Sequence, residues 1–269
     1  MVRGGPSKAQ ILESEVEFWE SIAEHDQYHL SVNVPTLKDL SDSFAYSSDR
    51  SFLERIGPAN GLTILDIGCG FGALSLYLAN EGADVVGLDI VNGMTTLCRK
   101  RSSATGVEAQ FVTADAEQLP FKDCSFDRVI GMRTIHHFPN IKHFFEETHR
   151  VLAPSGRAVF VEPQKNNPIV EVNRKLLQPE KRTPYEHPLV REDIDSARAV
   201  FPEADVETFY LISPVAFIFK RLVRSDSLAN AAKNALQAAE TRLTSSKRFQ
   251  DYCWQVVLML PKREETTTD

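Results

Sequence analysis

The chain is poor in cysteine, with four in 269 residues, and no two of them form a Cys-x-x-Cys pair. Scattered thiols at Cys69, Cys98, Cys124 and Cys253 give neither a disulfide scaffold nor a metal site, so no metal is expected and a reducing, cytoplasmic setting is. No apolar h-region follows Met1, and no secretion signal is expected. Long apolar runs are missing too. The longest, Phe209 to Phe219, is broken by Ser213 and Pro214 and is too short to span a bilayer. Positive charge is in deficit, with 30 Lys and Arg against 37 Asp and Glu and a net charge of −7. That balance argues against nucleic acid as a partner. Repeats and low-complexity tracts are absent, and only residues 263–269 read as disordered. What is present is an apolar content of 42%, ordinary for a globular enzyme with a sizeable core. The length suits one large α/β domain or a core with a lid.

The remaining residues are organised around one stretch, Leu62 to Gly72. A buried apolar run (Leu62, Ile64, Leu65, Ile67) stops at glycines spaced two apart, Gly68, Gly70 and Gly72, and an apolar helical pattern begins at Leu74. This is a strand, a tight turn and a helix start, the first unit of a nucleotide-type βαβ fold. The glycines supply unusual backbone angles and let a ligand approach the main chain without a Cβ in the way. Amides and the positive dipole end of the helix add a polar cradle.

Spacing alone leaves two classes of ligand open. Gly68-x-Gly70-x-x-Ala73 with Asp89 ending the next strand also satisfies the dinucleotide fingerprint. Asp66, two residues before the first glycine, weighs against it, because a carboxylate aimed into the loop repels a pyrophosphate and suits a cation. Hydrophobic-Asp-x-Gly-x-Gly-x-Gly resembles the first motif of class I S-adenosylmethionine (SAM) methyltransferases. Further strings carry the same resemblance across Leu62 to Glu162: Gly87-Leu88-Asp89, then Asp115-Ala116 with Leu119-Pro120-Phe121 and Ser125-Phe126-Asp127, and Arg150-Val151-Leu152-x-Pro154-x-Gly156. The group includes ubiquinone/menaquinone-type C-methyltransferases and many natural-product methyltransferases.

The resemblance implies an α/β, Rossmann-like seven-stranded sheet, mostly parallel with an antiparallel last strand, plus N-terminal helices and helical insertions forming a lid. It implies SAM as cofactor, S-adenosylhomocysteine (SAH) as product, and cofactor contacts from Asp66, Gly68, Cys69, Gly70, Gly72, Asp89, Ile90, Asp115, Ala116, Met132 and Arg133. Asp89 is expected to take both ribose hydroxyls, since two acceptor oxygens match a vicinal diol. Asp115 and Ala116 are expected at the adenine.

Strands are read at Asp84–Ile90, Ala109–Thr113, Phe126–Met132, Arg157–Glu162, Phe209–Ile212 and Tyr252–Leu260. Helices are read at 8–25, from about Leu37 to Ile56, at 141–152, at Val215–Arg224 and at Ser227–Leu243. The division expected is 1–56 as a helical cap, 57–163 as the SAM-binding core, 164–200 as a substrate-side insertion, and 201–269 as the end of the core with a further helical insertion.

For catalysis, His136 and His137 sit at the carboxyl end of a parallel strand, where α/β ligands bind, and either offers a base near neutral pH. Glu162 and His187 are secondary catalytic candidates, and His25, Tyr28, His29 and Asn167 are substrate-side candidates. Arg182 and Glu186 are read as an ion pair pinning the insertion. Exclusions narrow the acceptor: no Asn/Asp-Pro-Pro-Tyr string follows the fourth strand, no paired catalytic cysteines occur, and metal-dependent catechol chemistry is not signalled. A small or lipophilic acceptor remains, methylated on O, N, S or C. The helix Val215–Val223 with its basic residues leaves peripheral membrane contact open. A monomer or homodimer is expected. Two alternatives stand beside this reading: a SAM-binding protein without methylation, as partner subunit or in non-methylating chemistry, and a dehydrogenase using NAD.

Overall fold

The computed structural model describes residues 6–25, 34, 47–177, 185–215, 235–236, 239–240, 242–244 and 247–263. Helix α1 (Lys8–His25) and helix α2 (Ser47–Ile56) precede strand β1 (Thr63–Ile67). Alternation then begins: α3 (Ala73–Asn80), β2 (Asp84–Asp89), α4 (Asn92–Thr105), β3 (Gln110–Thr113) and β4 (Phe126–Met132). A single 3₁₀ turn (Ile135–His137), α5 (Ile141–Val151), β5 (Leu152–Pro163), α6 (Pro168–Leu177) and α7 (Arg191–Val200) follow. Strand β6 (Asp205–Phe209), the short α8 (Lys247–Gln250) and β7 (Gln255–Pro261) complete the described elements.

The seven strands form one sheet in the order β3-β2-β1-β4-β5-β7-β6. Strands β1 to β5 pair in parallel, and β7 runs antiparallel to both β5 and β6. This is the doubly wound sheet expected from the sequence. Its parallel strands read as near-continuous apolar runs because helices cover both faces. One apolar layer gathers Leu65, Ile67, Val129, Phe144, Phe145, Phe160 and Leu258, and a second gathers Phe52, Ile64, Val85, Ile130, Val159 and Val257. Successive residues of one strand thus serve opposite faces. The order reverses between β1 and β4, and a doubly wound sheet opens its ligand crevice at the carboxyl ends of the strands there.

Strand β4 and helix α1 run over the expected residues, and the bounds of three strands are corrected. Strand β5 starts at Leu152, not Arg157: Leu152 pairs with Phe126, and the register shifts before Arg157 joins Arg128. The Pro154-x-Gly156 turn lies inside the strand as that irregularity, with Ser155 at φ 60. Strand β6 is Asp205–Phe209 and not Phe209–Ile212, because Tyr210 turns left-handed at φ 65 and ends the extended run. Strand β7 begins at Gln255 rather than Tyr252, where Tyr252 and Cys253 close turns onto Phe249 and Gln250. The second helix spans Ser47–Ile56, and residues 37–46 of the helix expected there lie outside the described residues. Of the helix expected at Val215–Arg224 only Val215 is described, and most of that at Ser227–Leu243 also lies outside the described residues.

Candidate functional site

Strand β1 ends in a loop whose main chain is anchored to its neighbour. Gly68 and Cys69 amides both donate to the Leu88 carbonyl, at 2.8 and 3.0 Å. Gly68, Gly70 and Gly72 all adopt positive φ, at 66, 50 and 72°. A Cβ at Gly68 would lie 2.2 Å from Thr134 Oγ1, and one at Gly72 would lie 2.8 Å from Cys98 Sγ, so both glycines are required by the protein's own packing. A Cβ at Gly70 would meet nothing within 4 Å. The main chain there is bare toward open space, which is the condition for close approach by a ligand.

Carboxylates surround this loop. Asp89 at the end of β2 accepts from the Gly70 amide at 2.9 Å and from the Val91 amide at 3.0 Å. Burial still raises its pKa, with those amides and the charge of His137 pulling the other way. Asp66 is 3% exposed and accepts from Ser75 Oγ at 2.6 Å. Burial pushes its pKa up to about 7, with Ser75 lowering it and Asp89 adding to the rise.

A cavity of about 300 Å³ opens above the loop. Its floor is Gly68, Gly70 and Phe71, and one side is Leu88, Asp89, Ile90 and Val91. Ala114, Asp115 and Ala116 form the far end, and Met132, Arg133, Thr134, His137 and Phe138 descend from β4. Helix α1 supplies the roof with Leu12, Glu15 and Trp19. Of the residues expected at the cofactor, Gly68, Gly70, Asp89, Ile90, Asp115, Ala116, Met132 and Arg133 line this space. Asp66, Cys69 and Gly72 do not: Asp66 turns to Ser75 behind the loop instead of aiming into it, and Cys69 packs beside Gly87 and Cys98. Three carboxylates (Glu15, Asp89, Asp115) stand on the walls with one guanidinium, that of Arg133. Its Nη2 donates to Oδ1 of buried Asp49 at 2.6 Å, which holds it against α2. Asp89 occupies the Gly70 amide and sets a carboxylate at the loop, which disfavours a pyrophosphate there.

The two histidines separate into different environments. His136 is 5% exposed and lies behind the wall, its Nδ1 2.7 Å from Glu162 Oε2. Glu162 is fully buried and also accepts from the Thr134 amide at 2.7 Å and the Ile135 amide at 2.8 Å. Every side of that carboxylate therefore meets a donor from the turn after β4. His137 faces the cavity, stacks on His136 with ring centroids 4.1 Å apart, and places Nδ1 2.9 Å from Glu15 Oε2. Burial disfavours its charged form, but Glu15, Glu186 and Glu162 together outweigh that and raise its pKa.

Of the remaining candidates, His187 and Asn167 do not line the cavity. The His187 amide donates to the His136 carbonyl at 3.0 Å, tying the insertion to the turn after β4. Asn167 is fully buried: its amide nitrogen donates to the carbonyls of Tyr210, Leu211 and Tyr252, each at 3.0 Å, and its oxygen accepts from the Ile169 and Val170 amides. That side chain caps α6 and has no group left for a substrate. His25 closes α1, and its side chain, like all of Tyr28, His29 and Arg182, lies outside the described residues. Glu186 approaches His136 Nε2 at 3.7 Å. Among the described residues no cluster of His, Cys, Asp and Glu could hold a metal ion, and no helix is long and apolar enough to cross a membrane.

Sequence reasoning missed the roof. Leu12, Glu15 and Trp19 recur at three- and four-residue spacing and so share one face of α1. That face was legible as amphipathic, but its polar member reads as a solvated acid until the fold places a histidine beneath it. Lys8 was missed for the same reason; its Nζ lies 2.9 Å from Asp115 Oδ2 and 2.6 Å from Glu117 Oε2.

Residues 65–160 match a family model described as a methyltransferase domain. Over 118 residues the chain is 36% identical to a fatty-acid O-methyltransferase of Mycolicibacterium smegmatis, covering 43% of this chain and 42% of that one. Over 101 residues it is 41% identical to a demethylmenaquinone methyltransferase of Thermus thermophilus, covering 37% and 46%. The alignments thus span less than half the length of these curated relatives. In three dimensions the chain is similar to the [4+2]-cyclase SpnF (TM-score 0.59, 16% identity, 96% of this chain and 98% of that one). It is also similar to a phosphoethanolamine N-methyltransferase 2 of Haemonchus contortus, in complex with S-adenosylhomocysteine (TM-score 0.60, 17% identity, 97% and 61%). Those two likenesses establish the fold.

Proposed function

We propose that this chain, whose residues 65–160 form a methyltransferase domain on the class I SAM-methyltransferase fold, transfers the methyl group of SAM to a small lipophilic acceptor. The observation that carries the proposal is Asp89 at the Gly70 amide, with Asp115 on the wall beyond it and the Gly70 main chain open, in a cavity whose other walls are mostly apolar. Asp89 would hold the ribose, Asp115 with Ala116 the adenine, and Gly68 and Gly70 the amino-acid end. When bound, SAM supplies a methyl carbon already activated by its sulfonium, so the protein's task is to position the acceptor, exclude water and receive a proton. A roof of Leu12 and Trp19 supports the exclusion of water.

The curated relatives are named for a fatty acid and for demethylmenaquinone. Those names, with the apolar walls here, support a lipophilic acceptor. The division of labour we infer gives 1–56 the cap, 57–163 the cofactor, 164–200 the acceptor side and 201–269 the closure of the sheet. Free thiols at Cys69, Cys98, Cys124 and Cys253 support a cytoplasmic setting. The acidic balance supports an acceptor other than nucleic acid.

Titration calorimetry with SAM, SAH and NAD tests the ligand. Binding of the first two and not the third is expected, and the reverse overturns the proposal. Isotopically labelled methyl donor, offered with a long-chain fatty acid, an isoprenoid quinol and a short-chain phenol, then tests the acceptor class. Labelled product from a lipophilic member is expected. SAH binding without product from any member would favour a SAM-binding protein that does not methylate.

A further inference from the structure

We propose that Glu15, carried on helix α1, is the positioning residue for His137, so that the proton acceptor of the reaction is complete only when the N-terminal helix is docked over the cavity. The inference rests on the methyltransferase reading above and adds to it a residue that no motif marks.

His137 Nδ1 lies 2.9 Å from Glu15 Oε2, and the ring lines the cavity. The two atoms meet at ion-pair distance without hydrogen-bond alignment, so the carboxylate acts on the ring by its charge, favouring the proton at Nδ1 and leaving Nε2 as the basic nitrogen. His136 has the other arrangement. Its Nδ1 is committed to Glu162, its Nε2 has Glu186 Oε1 at 3.7 Å, and it is buried behind the wall. Of the two, His137 alone faces the cavity and can take a proton there.

Glu15 is itself 3% exposed, so its charge is not screened by water, and it reaches the ring from a helix outside the sheet. Trp19, one turn on, meets the same ring edge-on with centroids 5.9 Å apart. The groups facing His137 are therefore Glu15 and Trp19 from α1, His136 beside it, Glu162 from β5, Glu186 from the insertion, and Asp89 from β2. Four of these six are carboxylates, and Glu15 makes the direct contact.

In the step itself the acceptor's X–H bond breaks and an Nε2–H bond forms. The bonding pair stays on the acceptor atom, which would use it to take the methyl carbon as the carbon–sulfur bond of bound SAM breaks and its pair returns to sulfur, leaving SAH. The resulting imidazolium is paired with Glu15 until the proton leaves to solvent as the roof opens. Closure of α1 thus excludes water and installs the carboxylate in one motion.

The test compares wild type with Glu15→Gln, Glu15→Ala, His137→Gln and the Glu15→Gln/His137→Gln double variant, all as the full chain. The acceptor is the member of the panel that gives labelled product. E15Q is expected to lower kcat by about 10- to 100-fold, while KM for the acceptor and the Kd for SAH stay within about threefold. The acid limb of its kcat–pH profile should move to lower pH, and the double variant should be no slower than H137Q. Independently of turnover, the His137 ring should titrate above free histidine in wild type by NMR and at lower pH in E15Q and E15A. Wild-type kcat and an unmoved pH profile in E15Q, additive losses in the double variant, or an unchanged His137 titration would each overturn the inference. So would loss of SAH binding in E15Q, which would make Glu15 a structural or cofactor residue. A wild-type chain that binds no SAH sinks the methyltransferase reading instead, even if the NMR shift is present.

Discussion

Lys8 Nζ lies 2.9 Å from Asp115 Oδ2, so a residue eight from the start of the chain is clasped to the far end of the cavity. The second oxygen of Asp115 accepts from the Glu117 amide at 2.9 Å, and Lys8 also reaches Glu117 Oε2 at 2.6 Å. Burial lowers the lysine pKa, but the two carboxylates outweigh it and the value is raised, so the clasp is charged at neutral pH. A nucleoside whose base is received by Asp115 must share that oxygen with Lys8 or displace it.

The clasp therefore acts on the rate of entry and exit. Its lysine is 38% and its Asp115 25% exposed, so the pair contributes up to about 1 kcal/mol, or about fivefold in a rate. Lys8→Met is expected to speed both association and dissociation of SAH, by about two- to fivefold each, with less change in Kd. Stopped-flow fluorescence reads this directly, because Trp19 lines the cavity roof. Raised salt should mimic the variant in wild type and leave the variant unmoved.

Two glycines of one loop should fail in different ways. Gly68→Ala places a Cβ 2.2 Å from Thr134 Oγ1 at φ 66 and must push the β4 turn aside. It should lower Tm by several degrees along with SAH binding, the cost of overpacking being about 1–3 kcal/mol. Gly70→Ala meets no protein atom within 4 Å, so its folding cost is that of a positive φ alone, about 1 kcal/mol. Its SAH affinity should nevertheless fall at least about tenfold, since the new methyl enters the space where a ligand approaches the main chain. Differential scanning fluorimetry beside calorimetry separates the two. A Gly70→Ala chain that binds SAH like wild type would remove that loop from the ligand.

The fold was legible because its signals are local. Alternating apolar runs, the glycine spacing and the strand-ending Asp89 each depend on a few neighbouring residues, and together they specify β1 to β5 with only end effects to correct. Boundaries failed where backbone geometry decided them: Tyr210 ending β6 at positive φ carries no sequence mark, and neither does the irregularity that lets β5 begin at Leu152. The site was half legible. Residues on the sheet edge follow from the strand ends, whereas Lys8, Glu15 and Trp19 come from a helix more than 90 residues from the nearest side chain they touch on the cavity wall. Periodicity announces such a face and cannot say what it covers. His136 and His137 were indistinguishable in sequence for a related reason: a 3₁₀ turn sends adjacent side chains to different surroundings.

Asp66 makes stability depend on pH. Its folded pKa of about 7 exceeds the ordinary carboxylate value of 3.8, so the folded state favours the protonated form. The stability tied to that preference is full below about pH 4 and is lost as pH rises through 7. Asp66→Asn escapes the loss. It should be more stable than wild type at pH 8 by about 1–4 kcal/mol, with the gap closing toward pH 4. Urea unfolding at the two pH values checks this. A gap that is constant with pH would mean that burial does not protonate the group.

Glu162 should govern the turn that presents the cavity-facing residues of β4. Its carboxylate accepts from the Thr134 and Ile135 amides at 2.7 and 2.8 Å and meets His136 Nδ1 at 2.7 Å, with no exposure to water. Hydrogen bonds to a buried charge are worth about 1.5–3 kcal/mol, more than neutral ones, because the alternative inside the protein is an unsatisfied donor. Glu162→Gln keeps the shape and removes the charge, and its amide must face His136 with a hydrogen in place of a lone pair. Loss of about 2 kcal/mol there corresponds to about thirtyfold faster opening of the turn. Hydrogen exchange at the Thr134 and Ile135 amides should therefore accelerate by about that factor, while amides in the middle of β1 exchange as before. Uniform acceleration across the sheet would instead make Glu162 a support of the whole core, and unchanged exchange at both amides would mean that neutral glutamine serves the turn as well.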